Sequence, residues 1–541
     1  MYYRFFEGRR LAAGSGPCGA PVSARARAKL ARRLQASASS LLLGAGLLTL
    51  AVLPVAAAQV AGTARSPASG LTLDHPQAPI FVAYPDDGHR VAHPYVLLEG
   101  SVLPGTSLQL NGRPLTAGPD GLFIEWVPLQ QGANLLRLTS QRGGQSWAAT
   151  LRVFRQAAPA RAAAPLQPLN PPRTAEVVDP DQGYGVNPVR AAWEDDAGRP
   201  VLYARAGIRA EVVAVRGDLS RVRLADGRLL WASRDTLRLL PPGTPLLLAA
   251  VAAPRWRAAG AGEWQELEFP VSARVPFQLA EQGGRLQLSI IGARPGGSWT
   301  LPAGLDLNLQ AQASTLQLDL GVGRPLHGFQ AFYRAGELGD TLVLRYRTAP
   351  LPGPLAGRHI VLDAGHGGSE LGGAGSLRVP EKGLTLPITL RIAELLRAQG
   401  AQVTLTRADD RTVPLYSRPL LAEQRGAEVL VSIHANAIPD GKDPRSVRGI
   451  GSYFTHEQSR PLAAALQAAL VAALPQAGDD GLHPAANLAL TRPTSQPSVL
   501  LELGYLTDPQ NLRLLMSPAG QEACAQAVAA GLGRYFALLP Q

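Results

Sequence analysis

The hydrophobic pattern of this chain changes period near residues 351–356, LPGPLA, and that change limits what its two halves can become. Before it, short apolar runs alternate with polar residues and are cut by Gly, Pro, Asn and Asp. After it, apolar runs of strand length alternate with longer stretches whose apolar residues recur at helical spacing. HIVLDAG reads as a strand, EKGLTLPITLRIAELLRAQG as a helix stopped by Gly400, AQVTLTR as a strand and VPLYSRPLLAEQRGA as a helix. EVLVSIHAN, RPLAAALQAALVAAL, PSVLLELGYL and GQEACAQAVAAGLGRYFALL continue the alternation. Such a pattern predicts a mainly parallel sheet covered on both faces, so residues 351–541 are expected to form one α/β domain.

The front half predicts β structure throughout, and 541 residues are too many for a single core. In residues 79–155 the turn signals PG, NG, PDG and QGAN recur at the spacing of a β-sandwich, and the stretch resembles bacterial immunoglobulin-like modules. Residues 156–175 read as an Ala/Pro linker. Residues 176–242 hold short alternating strands, a DG hairpin and Trp231, and resemble a bacterial SH3-like barrel. Residues 243–350, with LQLSIIG, LDLNLQA, STLQLDLGV and TLVLRYR, read as a further β region.

The net charge of +11 would suggest a nucleic-acid partner if it were spread over a folded surface. Seven of those charges lie in residues 1–58, where Arg4, Arg9, Arg10, Arg25, Arg27, Lys29, Arg32 and Arg33 face only Glu7. No nucleic-acid partner is implied by what remains. The basic stretch precedes an apolar run and the site Ala56-Ala57-Ala58, the pattern of a signal peptide; a retained N-terminal anchor is the alternative. Residues 59–78 then read as a linker. Export to the periplasm or cell envelope, or secretion, is expected, with no membrane contact beyond the N-terminal segment. Cys18 precedes the cleavage site, so the mature chain keeps Cys524 alone and has no internal disulfide.

Three polar residues stand where strands of the C-terminal domain end: His366 after IVLDAG, His434 after VLVSI and Glu502 closing SVLLE. Glu381 opens the first helix. Ligands of open α/β sheets sit at such strand ends. Two histidines and one carboxylate suffice for a catalytic zinc ion, and a second carboxylate can move a water proton. By spacing alone, solvated or capping histidines and a surface glutamate are the commoner reading.

The motifs DAGHGG, EK opening a helix, SIHAN and PSVLLELGYLTDPQN resemble the zinc-dependent N-acetylmuramoyl-L-alanine amidases of the type-3 class, from about Arg358 to Phe536. The resemblance implies that His366, Glu381 and His434 bind one Zn²⁺ and that Glu502 is catalytic. It implies an exported hydrolase of peptidoglycan, cutting the amide between N-acetylmuramic acid and L-alanine with zinc-activated water. Arg418 would be structural or at the substrate rim, with Arg492 and His483 as further rim candidates. The chain departs from the family where DAGHGG replaces DPGHGG and where Pro493 stands in place of an Asn. Residues 435–449 are too short and too rich in Pro and Gly for the inhibitory helix of some relatives, so an open site is expected. The β modules, 243–350 included, would target the wall; the sequence names no regulatory protein partner. A non-catalytic wall-binding protein and a zinc peptidase acting on the stem peptide are the alternatives. His359 and His456 are expected at the surface, and His75, His89, His93 and His327 are expected to be bland.

Overall fold

The computed structural model describes residues 78–157, 164–178, 192–260, 262–336, 339–438, 441–443 and 445–539, all within one compact unit. The segments read as a signal peptide and most of the 59–78 linker lie outside them. Among the described residues, no helix is long and apolar enough to cross a membrane.

The C-terminal domain holds six strands: β1 (His359–Ala364), β2 (Gln402–Leu405), β3 (Val429–Asn436), β4 (Ile450–Tyr453), β5 (Asp479–His483) and β6 (Ser498–Tyr505). They lie in the order β2-β1-β3-β6-β4-β5. β1 pairs in parallel with β2 and β3, β3 with β6, and β4 with β5; only β4–β6 is antiparallel. The helices are α1 (Lys382–Ala398), α2 (Ser417–Gln424), α3 (Arg460–Ala473), α4 (Pro509–Met516) and α5 (Pro518–Ala537). The two-residue period of the strands sorts their side chains. Ile360, Leu362, Val431, Ile433, Val499 and Leu501 enter the core beneath α1, α3, α4 and α5. Val361, Leu430 and Leu500 face the opposite way, against Ala422 of α2 and the 488–490 turn. Stepping on by two from this second set gives Asp363, then Ser432 and His434, then Glu502. The face under α2 is therefore apolar at one end and polar at the carboxyl ends of the strands. That change of character places the candidate site.

Residues 80–155 form two sheets, one of three strands and one of five, over a core that includes Val96, Leu98, Phe123, Leu138 and Val153. The Ala/Pro segment read as linker needs correction: Gln167–Val177 is an eleven-residue strand, paired with Arg209–Arg216 and Leu237–Leu239. Its prolines leave enough N–H groups to sustain pairing, and Ala175 and Val177 are fully buried. Nor are the second and third β regions separate in their packing. One core runs from Ala175 through Trp193 and Phe269 to Tyr346.

The sandwich docks on the C-terminal domain. Leu122 joins the core of that domain, Arg513 pairs with Asp120, and Arg378 bonds to the Ala83 carbonyl at 2.7 Å and to Asp86. Glu99 is buried in this contact, accepting one long bond of 3.4 Å from Ser376. Burial, weakly opposed by that bond, pushes its carboxyl up to about 8. The folded state thus holds this proton more tightly than the unfolded chain does. Its contribution to stability is greatest at acidic pH and is lost as pH rises from the ordinary carboxyl range toward 8. Glu99→Gln should flatten that decline and stabilise the full chain at pH 8 by on the order of 3 kcal/mol. Thermal unfolding of both proteins from pH 5 to pH 9 checks this; parallel curves would refute it.

Candidate metal centre and active site

The turn after β1 carries the first histidine. Asp363, with no exposed surface, ends the strand's polar face and accepts bonds from Arg418 at 2.8 Å, Thr406 at 2.6 Å and Ser432 at 2.6 Å. Burial alone would raise its pKa; the Arg418 charge and these hydroxyls outweigh that and hold it below the usual range. Arg407 and Arg418 also draw in three successive carbonyls, of Ala364, Gly365 and His366, at 2.8–2.9 Å. So held, the chain turns sharply, and His366 adopts φ +59°, a conformation most side chains avoid. Lys382 pins the next part of the turn through the Gly368 carbonyl and Asp410.

Two glycines are required by contact. A Cβ on Gly365 would lie 2.5 Å from the His434 ring. A Cβ on Gly372 would lie 2.5 Å from Glu381 Oε2 and 2.7 Å from His366 Cδ2, at a backbone φ of +76°. Both gaps let the polar side chains converge.

His366, Glu381 and His434 meet at the carboxyl ends of β1 and β3 and the start of α1, their ligand atoms all within 4.8 Å of one another. His366 Nε2 is 3.0 Å from Glu381 Oε2, and His434 Nδ1 is 2.8 Å from Oε1. The backbone N–H groups of Gly373 and Ala435 donate to the same carboxylate at 2.9 and 3.1 Å. These bonds orient Glu381, which is 4% exposed. Two imidazoles and a fixed carboxylate make the mixed N/O donor set that zinc accepts. Glu502 sits opposite His434 in the β3–β6 register and opposite Gly451 on the other side. It is 6% exposed, and its Oε2 has no hydrogen-bond partner among the described residues. Burial first, then the charges of Glu381 and Asp480, push its carboxyl well above the usual range.

The N-acetylmuramoyl-L-alanine amidase family matches residues 360–534. The uncharacterized protein YqiI of Bacillus subtilis is 32% identical over 187 residues, 34% of this chain and 87% of its own length. The chain belongs to the N-acetylmuramoyl-L-alanine amidase family. The probable cell wall amidase LytH of Staphylococcus epidermidis is 33% identical over 34% of this chain, and the match spans 60% of its length. Among solved structures, the amidase AmiC2 of Nostoc punctiforme is 32% identical over 33% of this chain and 98% of its own, with a TM-score of 0.32.

In this amidase domain the rim candidates fall in different places. Arg418 is 4% exposed and lies beneath the turn, not at a rim. Arg492 bonds to Asn487 and lines a cavity of about 120 Å³ with Tyr203, Arg205, Phe329 and Pro493; none of His366, Glu381, His434 or Glu502 lines it. His483 is half-exposed on β5, stacked on Tyr453 at 4.2 Å and paired with Asp480 at 3.2 Å. The Asp480 carboxylate also accepts from Tyr505 at 2.9 Å and raises the Glu502 pKa. Asp480, Tyr505, Asp363 and Arg407 went unmarked in sequence because "DDG" reads as a turn and the others as ordinary strand-end residues. His456, expected at the surface, is half-buried and bonds to the Arg492 carbonyl; His327, expected to be bland, is 2% exposed against Tyr535. The described residues of 437–449 contain no helix.

Removing one member of the Asp363–Arg418 pair strands the other in the interior. Arg418→Ala should cost about 3–5 kcal/mol of stability. It should weaken zinc binding about 10–100-fold, with Arg418→Lys rescuing little. Denaturant unfolding and metal titration measure the two effects; unchanged zinc affinity would show that the turn does not need this brace.

Proposed function

We propose that this chain is an exported peptidoglycan hydrolase that cleaves the amide between N-acetylmuramic acid and L-alanine. The observation that carries the reading is the convergence of His366, Glu381 and His434 beside a buried carboxyl, Glu502, with an unsatisfied oxygen. The three ligands would hold one zinc ion. Zinc at such a site polarises a carbonyl and acidifies water, so that water attacks an amide near neutral pH.

Glu502 would take the water's proton on the free Oε2 and deliver it to the departing amine, which cannot leave as an anion. Its raised proton affinity suits a group that must hold that proton between the two transfers. Glu381, fixed by two backbone N–H groups, keeps its position as a ligand while Glu502 changes charge. A Cβ on Gly451, beside Glu502, would lie 3.0 Å from the Tyr453 ring and 3.2 Å from Asp480 Oδ2, so the glycine lets those two side chains close on the strand there. The absence of a helix in the described residues of 437–449 supports a cleft open without an activator. Export rests on the pattern in residues 1–58.

The presence together of His366, Glu381, His434 and Glu502 disfavours a degenerate, purely wall-binding protein. A zinc peptidase would need the same ligands, so product chemistry must separate it. The full chain should release stem peptides bearing a new L-alanine N-terminus from purified peptidoglycan. Chelation should abolish this and added zinc restore it. Glu502→Ala should keep zinc and lose at least about 100-fold in kcat, whereas His434→Ala should lose both zinc and activity. Mass spectrometry of the products and metal analysis report these outcomes. Cleavage within the stem peptide would favour the peptidase, and zinc binding without any cleavage would favour the wall-binding reading.

A further inference from the structure

The sandwich carries an aromatic pair that its own core does not use. Tyr95 and Trp126 stack with ring centroids 5.5 Å apart and planes 5° from parallel. Tyr95 is 40% exposed and Trp126 half-buried. By the two-residue period of the strands Tyr95–Val102 and Leu122–Pro128, these rings share a face with Glu99 and Leu122. That face is the one that docks on the catalytic domain: Leu122 enters its core and Glu99 meets Ser376. The face therefore continues past the docked region and ends in two stacked rings with open surface.

The neighbours of this pair meet the loop that leaves the metal site. A Cβ on Gly441 would lie 2.7 Å from the His93 ring, and Arg445 stands 3.6 Å from Glu125. Gly441 and Arg445 belong to the segment that follows His434 and Asn436 out of β3. Two contacts thus tie the end of the sandwich that carries the aromatic pair to the chain that follows β3. The outer face of a stacked ring favours the C–H face of a sugar ring, because the electron-rich π face attracts the polarised hydrogens. Arg445, paired with Asp443 and 3.6 Å from Glu125, places a charged group near this end of the sandwich.

We propose that Tyr95 and Trp126 form a glycan-binding platform contributed by the sandwich, holding pyranose rings of the strand whose muramoyl amide is cut. This rests on the amidase reading, since the sugars that flank the scissile amide must lie along the rim of the cleft. The platform extends the catalytic cleft onto the front half of the chain and selects polymeric glycan over short fragments.

The test uses the full chain carrying Glu502→Ala, so that binding is read without turnover. Sedimentation with insoluble peptidoglycan and calorimetry with soluble, peptide-free glycan chains both report affinity. Tyr95→Ala and Trp126→Ala should each weaken binding about tenfold, with Trp126→Phe retaining most of it. Leu135→Ser, on the other sheet, should leave it unchanged. If Trp126→Ala fails to fold, the largely exposed Tyr95→Ala carries the test alone. Undiminished glycan binding by folded alanine variants would overturn the proposal, as would a parent chain that binds no peptide-free glycan. The amidase reading fails separately: a chain with Glu502 intact that binds glycan through these rings yet releases no L-alanine-terminated peptide would retain the platform and lose the activity.

Discussion

A carboxylate with no exposed surface, Asp363, holds the C-terminal domain's chemistry in place. Alone it would be among the most costly groups to bury. Arg418, Thr406 and Ser432 make it tolerable, and they come from a helix, the end of a strand and the neighbouring strand. The ion pair therefore joins parts of the chain far apart in sequence. The guanidinium that neutralises Asp363 also holds the His366 carbonyl, so one interaction both satisfies a buried charge and fixes a left-handed histidine. Buried pairs are poor sources of net stability, but they are strict about geometry. A metal ligand needs that strictness.

The site is built by a small change in an ordinary pattern. Along β1, β3 and β6 every second residue faces α2, and apolar residues give way to polar ones at the carboxyl ends. The parallel register then aligns Asp363 with Ser432 and His434 with Glu502. Two buried carboxylates and two partly exposed imidazoles gather there. Glu381 is satisfied on both oxygens, while Glu502 keeps one unsatisfied. The neighbouring Asp480 adds negative charge beside Glu502 and is itself held by Tyr505 and His483. One carboxylate is thus held on both oxygens and the other is left with a proton affinity of its own.

The front half is built into the catalytic half. The second and third β regions share a single core, and Arg347 reaches from the third region to the carbonyls of Ala427 and Ser495 in the catalytic domain. On the other side Arg378 and Arg513 tie the sandwich to the loop before Glu381 and to α4. In each case an arginine caps carbonyls or acids across a domain boundary. In sequence these arginines look like any of the many others. Their partners lie up to 393 residues away.

Local chemistry made much of this legible from sequence. Glycine, proline and apolar period declare turns, strands and helices, and so the alternation after residue 356 could be read directly. His366, His434 and Glu502 stood out because a polar residue ending an apolar run is conspicuous. The short strand β4 and the edge strand β5 were not visible, since IGSY and DDGLH carry little apolar signal, and the strand Gln167–Val177 was hidden by its prolines. Sequence determined which residues could serve as ligands, acids and strand formers. Tertiary structure alone decided that Arg418 lies beneath the site, that Asp480 and Tyr505 stand behind Glu502, and that His327 is enclosed. Those roles depend on distance and burial, which arise only when sheet register and domain docking bring remote residues together.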